Sequence, residues 1–140
     1  MTIPQLSLLL CAMWTAGILI VAIGWYRWSR ILLGTAAINS FPADDSQGSD
    51  WYRRAMRAHA NCIENLPVYG VVVFVLSARG ISSPVVDGLA LLIIPSRIVQ
   101  SLTHICFVQT ARAVSIRFSA FSVQLACFMA LAGYALWGAR

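Results

Sequence analysis

From Ile3 to Trp25 the chain carries no charged side chain, a run long enough to cross about 30 Å of hydrocarbon as a helix. No other feature narrows the fold so sharply. In lipid, each backbone amide must find its partner within its own segment, so a run of this kind is a helix and the rest of the fold must be built around it. Tyr26-Arg27-Trp28-Ser29-Arg30 closes the run as an aromatic and basic anchor at the membrane surface.

Three further apolar stretches follow, so the spacing predicts spans over about 3–26, 51–78, 85–108 and 114–137. Residues 39–50 (NSFPADDSQGSD) are the clearly polar connector, with the Pro, Gly, Ser and Asp of a loop. Asp50 is placed to cap the second helix, and Pro67 within that helix is expected to kink it, as neighbouring helices allow. Between spans two and three, Arg79-Gly80-Ile81-Ser82-Ser83-Pro84 reads as a turn in which glycine stops one helix and proline starts the next. Pro95 interrupts the third span, and a basic connector with Arg112 leads to the fourth. Short links make neighbouring helices antiparallel. The predicted fold class is all-α: an integral membrane antiparallel four-helix bundle, one domain over 1–140 with no internal repeat.

Composition agrees. Hydrophobic residues make up 59% of the 140 and charged ones 11%, against about 25% charged in soluble domains. All ten basic residues are arginine, and the net charge of +5 sits near helix ends as a topology signal, not interleaved with aromatics as nucleic-acid binding requires. Arg27, Arg30, Arg53, Arg54, Arg57, Arg112 and Arg117 fall on one side of the four-span arrangement, while Arg79 and Arg140 fall on the other. The positive-inside rule then places both termini outside the cytoplasm. Cys11, Cys62, Cys106 and Cys127 have no metal spacing and read as small hydrophobes outside any disulfide. The first run is too long, and lacks the positive start, for a cleaved signal peptide. Trp51 and Tyr52 read as members of the interfacial aromatic belt.

One glutamate, Glu64, interrupts the second span. Ionisable groups inside a bilayer are expensive and mark functional sites. Arg54, Arg57, Asn61 and Glu64 stand at i, i+3, i+7 and i+10, which gathers them into one helical stripe. His59 lies well round the helix from it and reads as a packing residue. In the third span Arg97, Gln100 and His104 recur at i, i+3 and i+7; in the fourth, Arg117 lies among Ser115, Ser119 and Ser122. Three helices therefore offer polar faces to the same half of the bundle. Several guanidiniums with one carboxylate suit a small zwitterion with two carboxylates and an amine. Glutathione has that form, and an arginine near its sulfur would favour the reactive thiolate; the spacing permits this ligand without identifying it. A structural ion-pair network between helices is the plainer reading of the same stripe. Two histidines and one membrane glutamate on different helices do not make a metal site.

The string Arg54-Ala-Met-Arg57-Ala-His59-Ala-Asn61-Cys-Ile-Glu64-Asn-Leu-Pro67 resembles the signature of the MAPEG family, the membrane-associated proteins in eicosanoid and glutathione metabolism. The family pattern, R-x-x-R-A-x-x-N-x-x-E-x-x-P at the start of the second membrane helix, is matched without a gap. Ala113-Val-Ser-Ile-Arg117-Phe-Ser-Ala-Phe121 is similar to the family's opening of the fourth helix. The resemblance covers essentially the whole chain. It implies a homotrimer of four-helix subunits with a glutathione site between neighbours, open toward the cytosolic half of the membrane.

Carried over, it implies that Arg57, Asn61 and Glu64 bind the glutathione backbone, with Arg54 in a supporting ion pair; His104, on the Arg97 face, reads either as lining the pocket or as a helix–helix hydrogen bond. It further implies that Arg117 stabilises the thiolate, and that Arg27 or Arg30 reaches a carboxylate from the neighbouring subunit. Arg97 is expected to pair with an acid such as Glu64. The implied activity is a transferase or peroxidase attacking lipophilic electrophiles or peroxides that arrive from the membrane lipids. The implied setting is a bacterial inner membrane. Gln100, His104, Asn65 and Phe118 depart from the eicosanoid enzymes, so the resemblance implies a general activity and not a specific eicosanoid one. Two other classes stay open. One is a MAPEG-fold protein without chemistry. The other is a small proton-coupled exporter, which has four spans but carries its essential glutamate in the first helix.

Overall fold

Thr2 starts the first helix with a reciprocal capping box: its hydroxyl accepts from Gln5 N, and Gln5 Oε1 accepts from Thr2 N at 2.9 Å. In the computed structural model, which describes residues 1–41 and 48–138, α1 (Ile3–Gly17) passes through a π-helical segment (Ile18–Gly24) into α2 (Trp25–Leu32). Together they form one span of 30 residues. The helix therefore continues past Trp25, and Arg27 and Arg30 ride on it instead of following it. Next come α3 (Asp50–Ala78), α4 (Pro84–Cys106) and α5 (Ala111–Trp137), each long and apolar enough to cross a membrane. Residues 42–47 of the polar connector, and Arg140, lie outside the described residues.

Local chemistry sets the boundaries. Ser49, not Asp50, caps α3, its hydroxyl accepting from Tyr52 N; Asp50 is the first helical residue and pairs with Arg53 at 3.8 Å. An aspartate in the first turn meets the positive helix end, so it serves there without being the cap. α3 runs unbroken through Pro67 and ends in a Schellman turn: Ile81 N donates to Leu76 O and Gly80 N to Ser77 O, with Gly80 at φ +66. Ser83 and Thr110 cap α4 and α5. The Thr110 cap draws Arg112 from the expected connector into the first turn of α5.

α4 is the hub, packing on α1, α3 and α5. Two hydrophobic clusters fill the bundle. At the end away from most arginines, Cys11, Tyr69, Val73, Leu76, Val86, Ile93, Cys127, Phe128, Leu131 and Ala135 draw on every span. Tyr69 and Phe128 stack there with centroids 5.2 Å apart. Ser7 Oγ donates to Ala90 O at 2.7 Å and accepts from Tyr69 OH at 2.9 Å, pinning α1, α3 and α4 together. Arg79 Nη1 donates to Ala135 O and Leu136 O, and Nη2 to Gly138 O, which caps the negative end of α5. At the arginine-rich end the second cluster holds Ile18, Ala22, Ile23, Tyr52, Ala55, Ala58, Cys62 and Ile105, with no member from α5. That missing side is where the polar residues gather.

Candidate functional site

Beside the second cluster, which α5 does not join, a pocket of about 290 Å³ opens, lined by Asn61 of α3, Gln100 and His104 of α4, and Val114, Arg117, Phe118 and Phe121 of α5. Arg117 Nη1 lies 3.2 Å from His104 Nδ1. A guanidinium only donates, so Nδ1 accepts and the imidazole is neutral, with its proton on Nε2. That Nε2 is 3.5 Å from the Asn61 side-chain amide, at the limit of hydrogen bonding. Asn61 Nδ2 is the atom placed there; a half-turn of the amide would bring Oδ1 into its position to accept the Nε2 proton. One side chain from each of three helices thus forms a line, Arg117–His104–Asn61, along the pocket wall.

A second polar layer lies deeper. Arg97, 4% exposed, donates from Nη1 to Asn61 O at 3.3 Å and to Gln100 Oε1 at 3.1 Å. Gln124, fully buried, donates from Nε2 to the same Gln100 oxygen at 3.0 Å and to Ala120 O at 3.1 Å. Gln100 is therefore the knot between α4 and α5, held by two donors on one oxygen. Sequence reading passed over Gln124. The signal was available, since it is a lone amide in an apolar helix seven residues after Arg117, hence on the same face. The expected Arg97–Glu64 pair does not form: every partner of Arg97 is neutral, and Glu64 is exposed on α3. The α3 stripe is wide enough that its members face different neighbours.

The other expected residues fall apart from this line. Arg54 and Arg57 line a separate basic cleft of about 190 Å³ with Asp50, Arg53, Val108 and Gln109. Arg54 Nε donates to Ile105 O at 3.2 Å, capping the end of α4. Arg57 is within electrostatic reach of His104 and so stands between the two clefts. Glu64 lines neither. Arg27 donates from Nε to Tyr52 OH at 2.7 Å and lies over the Phe41 and Tyr52 rings, while Arg30 lies 4.4 Å over Tyr26. Tyr26 and Tyr52 stack at 4.2 Å. Tyr52, expected in the interfacial belt, is 3% exposed because this stack draws it inward; Trp51 stays at the surface. His59 is half-buried, all four cysteines are free, and among the described residues no three His, Cys, Asp or Glu side chains gather to hold a metal ion.

The pocket is chemically suited to a soft anion: its lining combines a partly exposed guanidinium, a neutral imidazole and an amide with two phenyl rings. Compared with known protein families, the chain matches the model of the MAPEG family over residues 6–137. No curated protein and no solved structure gave a match.

Proposed function

Since the chain belongs to the MAPEG family, we propose that it is a glutathione-dependent membrane enzyme of the transferase or peroxidase type. The observation that carries this reading is the Arg117–His104–Asn61 line beside the phenyl rings of Phe118 and Phe121. The glutathione sulfur would sit at Arg117, whose guanidinium favours thiolate over thiol. The thiol proton leaves to water, and the sulfur attacks an electrophilic carbon while the leaving group departs with the bonding pair. Phe118 and Phe121 offer the apolar surface on which a lipophilic electrophile rests. Arg54 and Arg57 would hold carboxylates of the peptide.

Glu64, outside both clefts of the single chain, meets the ligand's ammonium only where another copy closes over α3. By its likeness to the family, the reading includes a homotrimer with sites between subunits, where Arg27 or Arg30 of a neighbour contributes. It also includes the arginine-rich end facing the cytoplasm of a bacterial inner membrane.

Purified protein should gain thermal stability from glutathione and conjugate it to chlorodinitrobenzene. Arg117→Ala should keep the stabilisation and lose the conjugation, and Glu64→Gln should weaken the stabilisation. Conjugation by Arg117→Ala at the native rate would overturn the assignment of the catalyst. A second reading, a family member without chemistry, is favoured by one feature: the Arg117 guanidinium is already engaged by His104. Stabilisation by glutathione with no turnover of any electrophile would favour that reading.

A further inference from the structure

Arg97 has more donors than the bundle has acceptors for them. It lies thirteen residues along α4 from Pro84 and nine from Cys106, roughly 20 Å and 14 Å on the helix axis. Its partners are Asn61 O, Gln100 Oε1 and the Cys62 side chain, all neutral. Among the described residues no carboxylate comes within ion-pair distance. A guanidinium has five N–H groups, and both oxygens are met from Nη1. Nε and Nη2 therefore have no oxygen acceptor among the described residues. Neutral dipoles offset the desolvation of a buried ion only in part.

Beside these donors is a cavity of about 10 Å³, bordered by Arg97 with Cys11, Thr15, Cys62, Asn65 and Tyr69. Its walls come from all four spans, so it lies within the bundle, and Arg97 is its one charged lining residue. It has room for a single water-sized body. Asn65 Nδ2 donates to Asn61 O at 2.7 Å, the same oxygen that Arg97 Nη1 meets at 3.3 Å. The amide and the guanidinium therefore stand side by side, and the second Nδ2 hydrogen is not committed. Thr15 and Tyr69 spend their hydroxyl hydrogens on Cys11 O and Ser7 Oγ. Cys11 is within electrostatic reach of Arg97. Arg97, Asn65 and the Cys11 thiol are the donors that remain.

We infer that this cavity is a binding site for a monatomic anion of the chloride class, held by the Arg97 guanidinium and the Asn65 amide. Charge selects an anion over water, since water would meet the donors and leave the guanidinium unneutralised. One positive charge selects a monovalent ion, because the Born cost of burial rises with the square of the charge. Size selects a single atom over a carboxylate or a phosphate. None of the cavity's lining residues lines the Arg117 pocket, so the site stands or falls apart from the glutathione chemistry.

The full-length protein in detergent, free of glutathione, is melted in sodium gluconate and again as chloride replaces gluconate at constant ionic strength. Chloride should raise the unfolding temperature along a saturable curve, by about 4 °C at about ten times its dissociation constant. Bromide should do the same, and acetate, a larger monovalent anion, should not. Arg97→Gln removes the charge and should abolish the rise. Asn65→Leu, at a half-buried position, removes the neighbouring donor and should weaken chloride binding at least about tenfold. If Arg97→Gln does not fold, Asn65→Leu and the acetate comparison still decide. A native protein that melts alike in chloride and gluconate would overturn the proposal. An undiminished chloride response in either variant would assign the ion to surface arginines and overturn it as well. A rise in acetate equal to that in chloride would overturn the monatomic assignment.

Discussion

The two halves of the bundle use the same four spans and reach opposite results. At the arginine-poor end all spans contribute to one cluster around Tyr69 and Phe128, and its polar atoms are locked, Ser7 between Ala90 O and Tyr69 OH. At the arginine-rich end α5 contributes nothing to the core cluster; it buries the small Ala113 and Ala120 and is tied to α4 by hydrogen bonds among Gln100, Gln124, His104 and Arg117. Packing and interhelical hydrogen bonds are what hold helices together in lipid, where burial of apolar surface offers little. A half built on close contact is a scaffold. One built on long polar side chains leaves space, and space with directed donors is what a binding pocket requires.

The comparison breaks most directly if the closed half turns out not to carry the stability. Phe128→Ala should lower it by about 3 kcal/mol, through lost contacts and the cavity left beside Tyr69, whereas Phe121→Ala on the pocket wall should cost less than about 1 kcal/mol. Denaturant unfolding of both variants in the same detergent checks this; equal losses would show that the open half is load-sharing. Activity should show the reverse pattern. Under the proposed function Arg117→Ala should reduce conjugation about 100-fold with its unfolding midpoint nearly unmoved, a result read from initial rates beside a thermal melt. His104→Phe removes the acceptor that orients Arg117 and should lower kcat about tenfold with a smaller change in KM for glutathione. His104→Gln, which keeps an acceptor, should recover part of the rate. The smallest effect is expected from Tyr69→Phe, which deletes one hydrogen bond in the closed half: about 0.6 kcal/mol by the usual scale within membranes, with no change in turnover.

Much of this architecture was legible in advance. Length and hydropathy suffice for four spans because lipid leaves a bare backbone no alternative to the helix. The faces bearing Arg97, Gln100 and His104 were legible from the helical repeat alone, and so was the chain's membership of the MAPEG family from the Arg54–Pro67 string. The ends of the helices were harder. Ser49 displaced Asp50 as the cap, and Thr110 drew Arg112 into α5, since adjacent residues of equal capping strength compete within a fraction of a kcal/mol.

Partners were harder still. Glu64 and Arg97 seemed matched by charge, yet they face different surroundings, and Arg97 takes a carbonyl and an amide instead. Arg27 and Arg30, expected at a neighbouring subunit's site, also have aromatic partners within their own chain, Tyr52, Phe41 and Tyr26. A repeat of 3.6 residues assigns a residue to a face; it does not say which neighbouring helix occupies that face, or at what distance.

By itself, then, the sequence determined the spans, the faces on which charge would be carried and the family. Only the tertiary structure decided that Arg117 meets His104 and His104 meets Asn61, that Gln124 and Arg97 share the Gln100 oxygen, and that Arg97 has neutral partners in place of an acid. The physical reason is one of range. Helix formation in lipid depends on residues a few positions apart, whereas these contacts join residues up to 43 positions apart in the chain, brought together by how four rigid rods pack.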